Sequence, residues 1–344
     1  MKKHVRVRHF FALSLFAVCT AQAQDSGHFT VLEENDGIVS HKDRYYTQGL
    51  QLSYLTPAID GGWLGKGFDA LGRWLPMYAP QAEAQRRVAW IVLAQTEFTP
   101  EKLDLTPPDP RDRPYAAWLY TGAHVLQENA DDRGGRSLHD LDLQLGVVGP
   151  AALGREAQDG YHALVGFHKA QGWSHQLHDR LAVQFSYDYA HRFPLSLGNG
   201  YALDLVPGAG VSLGNVYRYA QTGLWLRAGN ALDVDYGPER IRPALSGDGF
   251  ADWRRLGSAA LHFDVYAGVQ ARYLQYDLFL DGASEVAPGA NLGRFPFVTD
   301  AVAGATLFYR RALRADFVVV RRSKQFNDQH GPEVYGGVNL GFPI

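Results

Sequence analysis

The chain has 344 residues, of which 46% are hydrophobic, 20% charged and 12% aromatic, with 37 Gly, 17 Pro, one Cys and a formal net charge of -3. It is too apolar and aromatic for a disordered chain, and its glycines carry no collagen-like period. A single cysteine excludes a disulfide framework and a Cys-based zinc site, and the mixed, slightly acidic charge leaves no footprint for nucleic acid.

Residues 1–23 read as a cleaved secretory signal. Lys2, Lys3, Arg6 and Arg8 form a basic start, Phe10 to Val18 an apolar stretch too short to anchor, and Ala21-Gln22-Ala23 a cleavage site. Val18 is bulkier than lipidation sites usually accept, which disfavours Cys19 as a lipoprotein cysteine. The mature chain, 24–344, shows neither internal repeat nor linker and is read as one domain.

Past the signal there is no run of 18 apolar residues, and the dominant period is two. Leu141, Leu143, Leu145 and Val147 alternate with Asp142, Gln144 and Gly146; Leu181, Val183, Phe185, Tyr187 and Tyr189 alternate with Ala182, Gln184, Ser186 and Asp188. Such alternation makes a sheet with one apolar face and one polar or small face. Segments of this kind fall at about 29–34, 45–55, 86–98, 115–126, 138–148, 179–190, 202–213, 216–229, 260–273, 297–309, 312–322 and 333–342. Twelve strands, most long enough to cross a bilayer when tilted, with short connections alternating with long ones, predict an all-β fold: a twelve-stranded antiparallel transmembrane β-barrel of the bacterial outer membrane. Tyr45, Tyr46, Trp118, Tyr120, Tyr189, Tyr217 and Tyr335, near segment ends, are expected to form interfacial girdles. A soluble β-sandwich or lipocalin-like barrel also alternates; strand length and the export signal favour the membrane barrel.

One long loop changes period. Leu153, Ala157, Tyr161, Leu164 and Val165 are spaced as one face of a short helix within 154–168, which puts Gln158 and His162 four apart on a common face. A simple pore has no need of a helix in an extracellular loop. Other polar clusters lie at loop edges: Glu34-Asn35-Asp36-Gly37; Asp43-Arg44-Tyr45-Tyr46-Thr47-Gln48-Gly49; Asp112-Arg113-Pro114-Tyr115-Ala116-Ala117-Trp118; and Gly149-Pro150 with Gly172-Trp173. A short hairpin would set the first two side by side. Gly210-Val211-Ser212-Leu213-Gly214 fits G-x-S-x-G, but it closes a strand and no helix follows, so Ser212 is not read as a nucleophile.

In this order the clusters E-N-D, D-R-Y-Y-T-x-G, D-R-P-Y-A-x-W, and G-P followed by Q-x-x-x-H and G-W resemble the lipid A 3′-O-deacylase family of the Gram-negative outer membrane, from about residue 29 to the C-terminus. The resemblance implies a monomeric, membrane-integral barrel that uses Ca2+ to hydrolyse the 3′-linked acyloxyacyl ester of lipid A in lipopolysaccharide. It implies that His162 is the base that activates water, with Asn35, Asp36, Thr47 and Gln158 in the same site, Asp36 on the metal, and Gln158 orienting the histidine. A histidine base also implies activity falling below about pH 6. An acidic residue that the family carries six positions after the histidine is replaced here by His168. Lys42, Arg44 and Arg113 are candidate grips for the substrate's phosphates; alternatively, Arg44 and Arg113 pair with Asp43 and Asp112 as lumen salt bridges. Asn35-Asp36-Gly37 could also be an ordinary turn. A phospholipid acyl ester as substrate, or a porin or structural barrel without chemistry, are the competing functions.

Overall fold

The computed structural model describes residues 25–40, 43–131, 134–166, 168–245 and 249–344, and of Val165 the backbone alone. The signal segment and Lys42 lie outside these residues. Twelve antiparallel strands close into a barrel in which each strand pairs with its chain neighbours and the first pairs with the last. They are β1 (His28–Asn35), β2 (Tyr45–Leu55), β3 (Gln85–Thr99), β4 (Ala116–Ala130), β5 (Arg136–Val148), β6 (Arg180–Gly198), β7 (Tyr201–Gly214), β8 (Tyr217–Gly229), β9 (Leu261–Asp277), β10 (Phe297–Tyr309), β11 (Leu313–Arg322) and β12 (Glu333–Pro343). Among the described residues, two helices longer than a turn or two accompany them: α1 (Gly62–Gly72) between β2 and β3, and α2 (Gly154–Val165) between β5 and β6.

Alternation places the apolar face outward. Leu143, Leu145, Leu181, Val183 and Phe185 are exposed, while Asp140, Asp142, Gln144, Gln184, Ser186 and Asp188 are buried inside. That is the reverse of a soluble barrel and the arrangement a lipid-facing wall requires. Strand β6 runs eight residues past its expected end and turns through Asn199-Gly200, both at positive φ, as two-residue hairpins demand.

The girdle assignment needs correcting. Tyr46, Trp118, Tyr120, Tyr217 and Tyr335 point into the barrel, Tyr45 lies beneath loops, and all six are at most 5% exposed. The aromatic rings that do face outward and stay exposed include Phe185, Tyr273, Phe297, Tyr309 and Phe317. Position near a strand end does not tell which side of the wall a ring takes; parity does.

The lumen is filled by the β8–β9 connection, folded back inside. Arg242 meets Asp140 at 2.7 Å and Asp142 at 3.0 Å, Arg240 donates to the Tyr335 hydroxyl at 2.6 Å, and Glu239 accepts from Gln51 and Ser53, both at 3.1 Å. Phe250 and Trp253 of the same connection are buried. Asp264 and Arg272 line this interior as expected, Arg272 pairing with Asp300 at 3.1 Å. Ser212 is a lumen residue 2.7 Å from the Ser186 hydroxyl. Six connections, including the one carrying α2, gather at one end, and both described termini lie at the other. The expected alternation of short and long connections does not hold, since 56–84 and 230–260 are long at the end of the termini and 215–216 is tight at the other. With 230–260 folded into the lumen, most of the remaining connecting chain lies at the α2 end, which is therefore the extracellular one.

Candidate active site

The clusters meet on the outside of the barrel, not in its lumen. Near the extracellular end the outward face of β1–β3 is polar where lipid-facing residues would be expected: Glu33 and Asn35 on β1, Thr47 and Gln48 on β2, and Gln95, Glu97 and Thr99 on β3. A bulge between Tyr46 and Gln48 turns two consecutive residues, Thr47 and Gln48, to this face. The hydroxyls of Thr47 and Thr99 are 2.6 Å apart. Both carboxylate oxygens of Glu97, a residue 1% exposed, have no hydrogen-bond partner among the described residues.

Helix α2 roofs the patch. Its polar side faces the wall, with Gln158 and His162 only 1% and 2% exposed, and its apolar side faces away, with Leu153 and Leu164 at 52% and 84%. The D-R-P-Y-A-x-W and G-W motifs supply its seat: Tyr115 packs on Trp173 at 5.0 Å. A Cβ on Gly154 would sit 2.5 Å from the Ala117 Cβ, so only glycine lets the helix approach so closely. Gln95 also donates to the Ala152 carbonyl at 2.5 Å, tying the helix entry to β3.

His162 is held at both ring nitrogens. Nε2 lies 2.7 Å from Asp43 Oδ2, and Nδ1 lies 2.7 Å from the His168 carbonyl. The Gln158 amide donates to both Asp43 oxygens, at 3.1 and 3.2 Å, and its own oxygen accepts from the Trp173 indole at 2.6 Å. Two acceptors facing one imidazole require a proton on each nitrogen or a protonated carboxyl. Burial pushes the Asp43 carboxyl above its usual range, against the lowering influence of His162, Gln158 and Thr47.

Asn35 and Asp36 form the adjoining turn, and the hairpin does set the first two clusters side by side. Asn35 Oδ1 accepts from Gly37 N at 2.7 Å, an ordinary capping contact. Asp36 Oδ2 accepts from Arg44 N at 2.7 Å, which fixes the neighbouring Asp43 against the turn. Burial, with the carboxylates Asp43 and Glu333 adding to it, pushes Asp36 up to about 9 despite the N–H groups of Arg44 and Gly37. The Tyr161 hydroxyl is raised by burial and by Glu33, Asp36 and Asp43, which places α2 within electrostatic reach of all three.

His162, Gln158 and Thr47 thus converge on Asp43, with Asn35 and Asp36 next to them. Arg44 pairs with Glu101 and donates to the His330 carbonyl at 3.2 Å, not to Asp43. The Arg113 guanidinium is buried over the inward-facing Phe98 ring at 4.9 Å, and Asp112 is engaged by the backbone N–H groups of Glu101 and Arg113. Sequence reasoning missed two members, Asp43 and Glu97. Asp43 had a signal, since it opens the D-R-Y-Y-T cluster; Glu97 had none.

The family model for outer membrane protein LpxR matches residues 10–344. The chain belongs to the LpxR family. Among solved structures, LpxR from Salmonella typhimurium is similar with a TM-score of 0.70 and 19% identity, covering 92% of this chain and 100% of that one. The autotransporter translocator domain NalP from Neisseria meningitidis is more distant, with a TM-score of 0.43 and 7% identity over 94% of this chain and 90% of that one. No curated protein sequence matches. This LpxR-family barrel is therefore an integral outer-membrane protein, and its polar cleft between wall and α2 stands on a fold shared with Salmonella LpxR.

Proposed function

We propose that the protein is a calcium-dependent ester hydrolase that removes the 3′-linked acyloxyacyl group from lipid A in the outer leaflet, by attack of water activated at His162. The observation that carries this reading is the Asp43–His162 pair, held under α2 on the outward side of the wall with His162 buried. A lipid could enter past the apolar face of α2 with its acyl chains still in the bilayer. The proposed working unit is a single chain, in which every strand already has both neighbours.

In this mechanism the pair starts with a shared proton between Asp43 Oδ2 and His162 Nε2. Once that proton is lost, the Asp43–His162 pair can take another from a water as its oxygen attacks the ester carbonyl, the proton passing through the carboxylate to settle on Nε2. Asp43 then stabilises the imidazolium, Gln158 holds Asp43 in place, and the His168 carbonyl fixes the ring through Nδ1. The imidazolium returns the proton to the leaving alkoxide.

The cleft fits a hard cation in charge and donor type. Asp36, Asp43, Glu33 and Glu97 are oxygen donors, and no Lys or Arg side chain pairs with Asp36 or Glu97 among the described residues. No three acidic or His/Cys side chains among the described residues are gathered closely enough to hold a metal by themselves. Asp36 would hold calcium, with main-chain carbonyls and water completing its shell. The ion would supply positive charge beside the ester carbonyl.

The test is mass spectrometry of lipid A incubated with refolded protein, with calcium or chelator, beside His162→Ala. Loss of one acyloxyacyl group that needs both calcium and His162 supports the reading. Cleavage of phospholipid instead moves the substrate, and cleavage of neither sinks the hydrolase.

A further inference from the structure

Helix α1 lies at the opposite end of the barrel from the cleft, packed on the outside of the wall. Phe68 and Tyr78, with Leu64 and Leu71, cover Val88, Val125, Leu141 and Tyr187, which all point outward. The Tyr78 hydroxyl donates to the Val125 carbonyl at 3.1 Å, and the Arg86 guanidinium sits over Phe68 at 5.5 Å while meeting Asp69 at 2.9 Å. The segment therefore takes wall that lipid would otherwise cover.

Its apolar sector is wider than the wall can use. Trp63 and Trp74 are 74% and 86% exposed. The helical path continues past Gly72, with Arg73 in the right-handed region and Trp74 N donating to the Leu71 carbonyl at 3.0 Å. Eleven residues at 3.6 per turn bring the two indoles to within about 20° of each other, some three turns apart. Phe68 lies about 140° round from Trp63, and Lys66 and Arg73 occupy the remaining polar side. Two indoles aligned along one exposed edge, flanked by cations, is the composition of a helix lying in a headgroup boundary. The neighbouring wall is continuous with the lipid-facing belt: Trp90 and Leu143, each one outward position beyond the covered Val88 and Leu141, are 39% and 43% exposed.

We propose that α1 is an interfacial anchor whose Trp63–Trp74 edge seats in the headgroup–acyl boundary of the periplasmic leaflet, with phospholipid as its partner. Lys66 and Arg73 then face phosphate groups, and the helix fixes how deeply that end of the barrel sits.

The experiment uses the full barrel refolded into phosphatidylcholine vesicles with or without brominated acyl chains, comparing wild type, Trp63→Phe and Trp74→Phe. Both sites are exposed, so folding is checked simply by circular dichroism. The expected result is that each substitution removes a share of the fluorescence that brominated lipid quenches, while aqueous iodide quenches little of that share. Should both indoles be open to iodide and indifferent to brominated lipid, α1 faces water and the anchor is overturned.

Discussion

Asp43 and His162 come from different loops and meet at 2.7 Å beneath a helix, each with further partners that leave it little freedom. The contact joins the hairpin after β1 to the loop after β5, so the pair exists only once the barrel has brought strands β1 to β6 into register. Under the proposed hydrolysis it also sets the sign of the pH dependence, because the pair must give up its shared proton before it can act as a base.

Activity is accordingly expected to rise with pH across the acid range. His162→Ala should lower kcat by about 10²- to 10⁴-fold, the usual weight of a general base. Asp43→Asn keeps the shape but removes the counter-charge, and should lower kcat more than it raises KM. Ester hydrolysis measured from pH 5 to pH 9 checks both; a flat wild-type profile from 5 to 8 speaks against a histidine base.

Asp36 gives a separate prediction about stability. Its folded value of about 9 lies above the ordinary carboxyl value near 3.9, so ionising it works against the fold. In chelator, this group's contribution is most favourable below about pH 4 and is lost as the pH rises toward about 9. Calcium should remove that loss in the wild type, and Asp36→Asn should abolish both the slope and the calcium response. Thermal unfolding at pH 6 and pH 9, with and without calcium, reads this directly.

Gly154 tests whether the roof over the cleft matters. Gly154→Val would place side-chain atoms where Ala117 and the Trp173 ring already are, at 2.5 and 2.7 Å from the new Cβ. The helix should lift from the wall, with deacylation falling at least tenfold while the strands remain paired. Activity and circular dichroism on one preparation separate the two effects.

The filled lumen makes a prediction against the porin alternative. With Arg240 and Arg242 tied to opposite walls, the wild type should show no ion conductance in planar bilayers. Arg242→Ala should loosen the connection and produce intermittent openings. Steady wild-type conductance would mean that the loop leaves the lumen.

The strands were legible because lipid on one side and a polar interior on the other impose strict parity, and α2 was legible because period 3.6 interrupts it. Helix α1 was not, since Gly61, Gly62, Gly65, Gly67 and Gly72 weaken any helical signal there. Glu97 was hidden by the register shift between Ile91 and Ala94, which breaks parity upstream of it. The end of β6 was obscured by Pro194, a residue strands usually avoid. Nothing local told that the β8–β9 connection would fold inward, because its partners are spread over distant strands. The paired glutamine and histidine on α2 could be read at once, whereas Asp43 became a site member only when the loops were seen together.

Along β1, Glu34 reaches inward to the lumen connection while Glu33 and Asn35 face the cleft, so two jobs are interleaved on one ribbon by odd and even position. Deleting or inserting a single residue in β1 would exchange them, sending the cleft groups into the plugged interior and a lumen carboxylate out toward lipid. The doubled outward pair at Thr47 and Gln48 is a local escape from that bookkeeping. It lets one strand give the cleft an extra side chain without shifting the frame of everything after it.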